Sequence, residues 1–242
     1  MRQLGALLRK DARVVYRDRF LLFLPAYALL LAAAGRVGVP AIPVADLGLY
    51  LAPAMVVIGT ALLGTVLGFA LIEETEQATS LLLKVLPVEQ QWLYLYLIAM
   101  SSFLSFWLGL VTAVVYGYPV ADLGVFLLMT AVASISAPII MLVLAVFASN
   151  KIEGLAVAKI FNLVSMAPAI VFFLPMPWQM VVAWSPWYWI YLGLLRAYTT
   201  NPAELPGLYW PGLPLWLIVS ASAVTALGNA AVLARLYARR HP

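Results

Sequence analysis

Residues 48–72 read GLYLAPAMVVIGTALLGTVLGFALI, without a single Asp, Glu, Lys or Arg, and the acidic run EETE follows directly at 73–76. Because about 20 consecutive apolar residues cross the hydrocarbon core of a bilayer, this stretch predicts a membrane-spanning helix. The rest of the chain has a similar composition, since 65% of its 242 residues are hydrophobic and only 10% are charged. A soluble domain carries about 25% charged residues, so the sequence predicts an all-α membrane protein without a soluble domain.

Five further apolar segments bring the predicted number of transmembrane helices to six, in a single domain over residues 1–242. A charge at the centre of a membrane helix costs about 2.5–3.5 kcal/mol, and the second, third, fourth and sixth segments contain none. The predicted spans are about 20–39, 48–72, 92–117, 123–148, 156–175 and 213–234.

The distribution of basic residues predicts the orientation of these spans. If the N-terminus is cytoplasmic, only Arg36 and Arg196 among the 14 Lys and Arg residues lie on the outside. The positive-inside bias therefore places both termini in the cytoplasm. A cleavable signal peptide is the alternative for the first segment, which ends in the small residues 32–35. The long basic segment before it and the interrupting Pro25 favour a helix that stays attached.

Residues 3–19 predict an amphipathic interface helix along the inner headgroups, because at about 100° per residue the apolar and basic side chains fall on opposite faces. Asp11 and Asp18 nevertheless lie within the apolar stripe. Lipid anchoring and docking on protein are therefore both open as roles for this helix. Its charged residues of interest are Arg9, Lys10, Asp11, Arg13, Arg17 and Asp18.

The stretch from Trp178 to Trp216 is rich in Trp, Tyr and Pro, a composition typical of the membrane–water boundary. Within it, Ser185 and Pro186 form a helix start, with Ser at the N-cap and Pro at the first helical position. The helix that follows, about 186–199, is too short to span the bilayer. We predict a short external helix between the fifth and sixth spans, either interfacial or re-entrant.

The acidic cluster Glu73, Glu74 and Glu76 interrupts an otherwise basic inner side. It has three interpretations: a solvated helix end, a paired-glutamate motif of a membrane protease, or a loop that docks on a soluble partner. The protease needs further histidines within the bilayer, whereas the one His of this chain is His241 near the C-terminus. With no Cys and a single His, the chain also has few candidate metal ligands, and we predict no metal site and no catalytic residue.

Residues 74–88, ETEQATSLLLKVLPV, resemble the first cytoplasmic loop of the type 2 ABC exporter permeases, in which a Glu-x-Glu-x-Gly-Thr stretch precedes a leucine-rich turn and a proline. Ala78 replaces the usual glycine, so this loop is expected to be helical rather than broken. With Glu73, the coupling residues that the resemblance implies are Glu74, Glu76, Thr79, Leu82, Leu83 and Pro87.

Two other segments carry the same resemblance. Residues 8–25, LRKDARVVYRDRFLLFLP, resemble the basic interface helix of these permeases, in which the two aspartates recur. The second inner loop, residues 150–159, is similar to that of the branch known as fluoroquinolone exporters. Its residues of interest are Asn150, Lys151, Glu153 and Gly154.

The resemblance implies a transport subunit in the cytoplasmic (inner) membrane of a prokaryote, rather than an enzyme. Such permeases pair as two copies, either a homodimer or two close paralogues, and bind two copies of a separate ABC ATPase. ATP and magnesium would then be bound by that partner and no cofactor by this chain, which lacks the Gly-x-x-x-x-Gly-Lys-Ser/Thr phosphate loop. An amphiphilic, drug-like or lipid-like cargo is implied, and no nucleic acid.

Other functions remain as alternatives. A proton-driven secondary transporter needs ionisable groups within the membrane, and the predicted bilayer centres contain none. A channel would need polar rings or filter carbonyls, and only scattered Ser and Thr occur. A membrane-embedded assembly or biogenesis protein without a transport cycle is the main rival to the exporter.

Polar residues and prolines within the spans mark expected kinks, because a freed carbonyl can be satisfied by a nearby polar group. These residues are Ser134, Ser136 and Pro138 in the fourth span, and Asn162 and Pro168 in the fifth. Such a kink is either a static bend of the helix or a hinge or cargo contact. Gly64 and Gly68 form a small-xxx-small pair that predicts a close contact, either within the bundle or in a dimer.

Overall fold

The computed structural model describes residues 19–44, 46–76, 90–171, 176–199 and 213–240. These residues form nine α-helices and one 3₁₀ turn, Val39–Ala41, and they contain no strand. The helices are α1 (Arg19–Gly38), α2 (Leu47–Glu76), α3 (Gln90–Tyr116), α4 (Leu123–Ala133), α5 (Ser136–Phe147), α6 (Lys151–Val171), α7 (Met176–Val182), α8 (Pro186–Tyr198) and α9 (Leu215–Arg240).

Six segments of the described chain are long and apolar enough to cross a membrane, which confirms the prediction of an all-α, six-span protein. They are Phe23–Ala41, Leu47–Glu73, Leu95–Tyr116, Leu123–Phe147, Lys151–Ile170 and Leu215–Tyr237. The fifth span, α6, begins at Lys151, earlier than predicted, so most of the expected second inner loop is helical. The predicted interface helix and the loop residues Thr79, Leu82, Leu83 and Pro87 lie outside the described residues.

The second and fourth spans form the centre of the bundle, and glycines bring them together. A Cβ at Gly64 would lie 2.5 Å from the Ala137 carbonyl oxygen, and one at Gly68 would lie 2.5 Å from Leu144 Cδ1. The small-xxx-small pair is therefore a contact between α2 and α5 within one chain. The outer helices expose apolar side chains such as Leu30 on α1, as lipid requires.

The fourth span is broken between α4 and α5, close to Pro138. A proline has no N–H to donate, and its ring clashes with the carbonyl four residues earlier, which here belongs to Ser134 beside the break. The Ser134 hydroxyl donates to the Ala131 carbonyl at 2.6 Å, and Ser136 opens α5. By contrast, α6 continues as a helix through Pro168.

The short helix α8 lies inside the bundle rather than on its surface. It begins at Pro186 as predicted, and 11 of its 13 residues are buried. Near its start the Trp187 indole N–H donates to the Ser136 hydroxyl at 3.1 Å, and near its end the Ala197 carbonyl accepts from the Asp122 N–H at 3.0 Å. These contacts align α8 antiparallel to the fourth span, which argues against the interfacial alternative. Ser185 occupies the N-cap position, but its hydroxyl makes no capping bond.

Candidate functional site

An ion pair joins the end of α2 to the start of α6. The Lys151 Nζ lies 3.1 Å from Glu73 Oε2, and the Glu73 side chain is only 13% exposed whereas that of Lys151 is 42% exposed. Partial burial lowers the effective dielectric and strengthens the attraction relative to an exposed surface pair. Glu73, the first residue of the acidic cluster, therefore forms its ion pair with another residue of the same chain.

The Glu76 side chain also binds the start of α6, through the backbone N–H of Lys151. Its Oε1 accepts a hydrogen bond of 3.0 Å from the Lys151 N–H. The first N–H groups of a helix have no partner within the helix, and the helix dipole favours negative charge there. The carboxylate of Glu76, the last residue of α2, thus caps another helix. Together with the ion pair, it fixes the position of Lys151 from two sides.

The start of α6 is also capped by its own residues. The Glu153 N–H donates to Asn150 Oδ1 at 2.9 Å, and the Ser149 N–H donates to Glu153 Oε2 at 2.8 Å. The Asn150 side chain caps the helix as in a capping box, whereas the Glu153 carboxylate binds the N–H of Ser149, one residue before the N-cap. The helix therefore begins at a defined residue, which holds Lys151 in place for Glu73 and Glu76.

A glycine lets α6 lie directly on α2 at this point. A Cβ at Gly154 would be 2.8 Å from Ile72 Cδ1 and 3.0 Å from Phe69 Cε1, closer than real Cβ contacts. Gly154 is buried. The close approach keeps the two helix ends in contact beneath the charged groups.

The same two helices are tied together again deeper in the membrane. The Asn162 side-chain amide of α6 donates to the Thr65 hydroxyl of α2 at 3.2 Å. Hydrogen bonds between membrane helices satisfy polar groups that lipid cannot. We call the set Thr65, Glu73, Glu76, Lys151, Gly154 and Asn162 the α2–α6 junction, and its charged end the Glu73 end of the molecule.

The structure brings together residues that the sequence predicted as two separate loops. Glu73 and Glu76 meet the set of Asn150, Lys151, Glu153 and Gly154, which we expected to belong to a second loop. The side chain of Glu74 is not among those described, and Ser134, Ser136 and Pro138 lie at the α4–α5 break instead. Thr65 was missed, whereas the capping box could have been found from Asn and Glu three positions apart.

A family model of Rv2686c-like fluoroquinolone export permease proteins matches residues 11–228, which includes the whole α2–α6 junction. The chain belongs to this family. It has no significant match among curated proteins or among solved structures. The family and the six apolar helices identify a membrane permease of a drug-export type, and thus a transport protein rather than an enzyme family.

Proposed function

We propose that the chain is the permease subunit of an ATP-driven ABC exporter, which moves an amphiphilic or drug-like cargo across the cytoplasmic (inner) membrane. Two copies would pair and bind two copies of a separate ATPase, which binds ATP and magnesium and supplies the energy of hydrolysis. The observation that carries the proposal is the α2–α6 junction, because Glu73 and Glu76 of one helix hold the first residue of another. The chain's membership in the family of fluoroquinolone export permeases supports the export of a drug-like cargo.

The junction suggests how force from an ATPase would reach the cargo path. Helix α2 ends at Glu76 and α6 begins at Lys151, so both of these helix ends lie at the Glu73 end. A partner that moves this end would shift α2 and α6 together, because an ion pair, a helix cap and a deeper hydrogen bond join them. Since α2 is a continuous helix of 30 residues, the movement would be carried to the opposite end of the bundle.

The charge distribution favours ATP over proton coupling. The described Asp, Glu, Lys and Arg residues lie near the ends of the spans, except Lys159, which is two turns into α6 and has a side chain long enough to reach the headgroups. Proton-driven transporters need ionisable groups that face the bundle interior. An uncharged interior also suits an amphiphile better than a small ion.

Transport in inverted membrane vesicles tests the energy source. The chain would be co-expressed with an ABC ATPase sought among the neighbouring genes, and uptake of the fluorescent fluoroquinolone norfloxacin would be followed. We expect uptake that needs ATP, that persists after a protonophore collapses the pH gradient, and that stops when the ATPase phosphate-loop Lys is replaced. Uptake driven by a pH gradient without ATP would instead show a secondary transporter. Absence of any uptake or of any complex with the ATPase would favour an assembly protein.

Single cysteines test the orientation, since the natural chain has none. Ser149 lies at the Glu73 end and is exposed, and Gly38 is exposed at the opposite end. A cysteine at Ser149 should react with an impermeant maleimide only in inverted vesicles, and one at Gly38 only in intact cells. The reverse pattern would place the junction on the outside, away from any cytoplasmic ATPase.

A further inference from the structure

The end of the bundle opposite the Glu73 end holds an open cleft of about 350 Å³. Its walls come from the end of α1, the start of α2 and the end of α3 with the residues that follow it. Small-molecule sites typically have volumes of about 300–1,000 Å³, so the cleft is large enough for the polar head of a ligand. We call this end the Arg36 end, after the cation that lines the cleft.

Two opposite charges line the cleft without neutralising each other. The Arg36 guanidinium donates one long hydrogen bond, 3.5 Å, to the Val115 carbonyl. Across the described part of the chain, no cation lies within ion-pair distance of the Asp46 carboxylate, which lines the same cleft. Both side chains are exposed. The cleft therefore offers one group for an anion and a separate group for a cation.

Glycines seat the cleft-lining side chains against the backbone. A Cβ at Gly117 would lie 2.9 Å from Arg36 Cζ, and one at Gly48 would lie 3.1 Å from Tyr118 Cε2. Gly117 has a φ of 74°, a backbone conformation that side-chain-bearing residues rarely adopt. At these positions the absence of a side chain lets the guanidinium and the ring lie flat on the cleft wall.

Tyrosines provide the remaining wall. Tyr116 donates to the Gly48 carbonyl at 3.0 Å, which fixes its ring. Burial, and to a smaller extent the Asp46 carboxylate, raises the pKa of Tyr118 above its usual value. A phenol is protonated at neutral pH even at its usual pKa of about 10, so the Tyr118 hydroxyl can donate a hydrogen bond. Amphipathic rings beside two charges suit a ligand that has both an apolar body and a charged head.

We propose that the cleft binds the zwitterionic head of an amphiphile, with its anion on Arg36 and its cation on Asp46. The inference extends the proposed function, because an exported amphiphile would occupy this cleft at the end of the molecule opposite the ATPase. Two sources share this chemistry: a zwitterionic drug-like cargo and the headgroup of a phospholipid such as phosphatidylethanolamine. In both cases the charges are recognised as a pair, so a ligand with only one of them binds more weakly.

Equilibrium binding to the purified full-length chain tests the cleft without the ATPase. The protein would be reconstituted in phosphatidylglycerol nanodiscs, whose lipid carries no cation. The probes are norfloxacin, a zwitterion, its ethyl ester, which lacks the anion, and its N-acetyl derivative, which lacks the cation. Each charged group of norfloxacin would pair with an exposed side chain, and exposed ion pairs contribute little. We therefore expect norfloxacin to bind only about fivefold more tightly than either derivative.

Variants assign each charge to its residue. Arg36→Gln should abolish the preference for norfloxacin over its ester, and Asp46→Asn should abolish the preference over the N-acetyl derivative. Arg235→Gln is the control, because it removes an exposed arginine from the C-terminal part of α9, which does not line the cleft. It should change neither preference. If a variant does not fold, the parent chain decides, since equal affinities for all three probes would overturn the proposal.

A lipid arm separates the two sources. Adding phosphatidylethanolamine to the nanodiscs should raise the melting temperature of the parent but not of Arg36→Gln, and it should compete with norfloxacin, if the lipid headgroup is the natural occupant. Norfloxacin binding without this lipid effect identifies the cargo. If both variants keep the preferences of the parent and phosphatidylethanolamine has no effect, the proposal is contradicted. Because no step here uses ATP, this failure is distinct from a failure of ATP-driven transport.

Discussion

The two ends of α2 hold charges in opposite arrangements. At the Glu73 end, carboxylates contact Lys151, and Gly154 allows α6 to lie directly on α2. At the Arg36 end, glycines hold side chains on the walls of an open cleft, and the cation and the anion stay apart. Charges that are satisfied within the chain hold helices together, whereas charges left around a cavity can bind a ligand.

The middle of α2 connects these two ends. Gly64 and Gly68 pack it directly against α5, so α2 is held along its length by the other central span. Helix packing in membranes depends on such close approach by small residues, since lipid provides no hydrophobic driving force between helices. The two ends of α2 can therefore take part in one transport process only if α2 moves as a rigid helix.

The largest expected effect comes from breaking this connection with Gly64→Ala. The new Cβ would lie 2.5 Å from the Ala137 carbonyl oxygen and 2.8 Å from its Cα. Because backbone cannot shift as easily as a side chain, we expect a loss of about 1–3 kcal/mol in stability, seen as a lower melting temperature in detergent. Gly228→Ala is the matched control, since nothing lies within 4 Å of its Cβ position. Equal melting temperatures for the two variants would show that α2 is not wedged on α5.

A smaller effect is expected at the Arg36 end from Gly117→Ala. The left-handed backbone of this residue costs about 1–2 kcal/mol with a side chain, and the Cβ would displace the Arg36 guanidinium. Norfloxacin binding should weaken as in Arg36→Gln, while ATP hydrolysis by the complex in the absence of cargo stays unchanged. Gly38→Ala, with open space around its Cβ, should bind normally. Unchanged binding by Gly117→Ala would remove Arg36 from the ligand site.

The smallest expected effect distinguishes the two carboxylates at the start of α6. Glu76→Gln weakens a cap in which a carboxylate of α2 accepts from the Lys151 N–H, and Glu153→Gln weakens a cap within the first turn of α6. Charges at a helix N-terminus contribute about 0.3–1 kcal/mol, so both variants should unfold slightly earlier. Only Glu76→Gln should also lower ATP-driven norfloxacin uptake, measured in the same inverted vesicles. Equal uptake by both variants would mean that the cap matters for stability alone.

Much of the fold could be predicted from the sequence, because uncharged runs of sufficient length leave few alternatives to a spanning helix. Six spans, the start of α8 at Pro186 and the break near Pro138 all follow from composition and proline geometry. The depth of α8 could not be predicted. Its Trp and Tyr residues are typical of an interface, but their polar atoms bind within the bundle, as Tyr191 does at the Tyr50 carbonyl.

The candidate site was only half predictable. The sequence singled out Glu73 and Lys151 as members of two loops, but their ion pair joins residues 78 positions apart. No local pattern reports which spans are neighbours, since that depends on where glycines allow close contact. The Arg36 end was not predicted as a site at all, because Arg36 served only to assign the topology and Asp46 lies between two spans without a motif.

The central claim is that the Glu73–Lys151 contact transmits force between α2 and α6. Its most direct test is a charge-swap cycle in ATP-driven norfloxacin uptake, with Glu73→Lys, Lys151→Glu and the double variant, at matched membrane expression. Each single variant places like charges together and should lose most of the uptake. The swap restores an opposite pair at the same positions, so the double variant should recover a clear fraction of it. Single variants as active as the parent, or a double variant no better than either single one, would contradict the account.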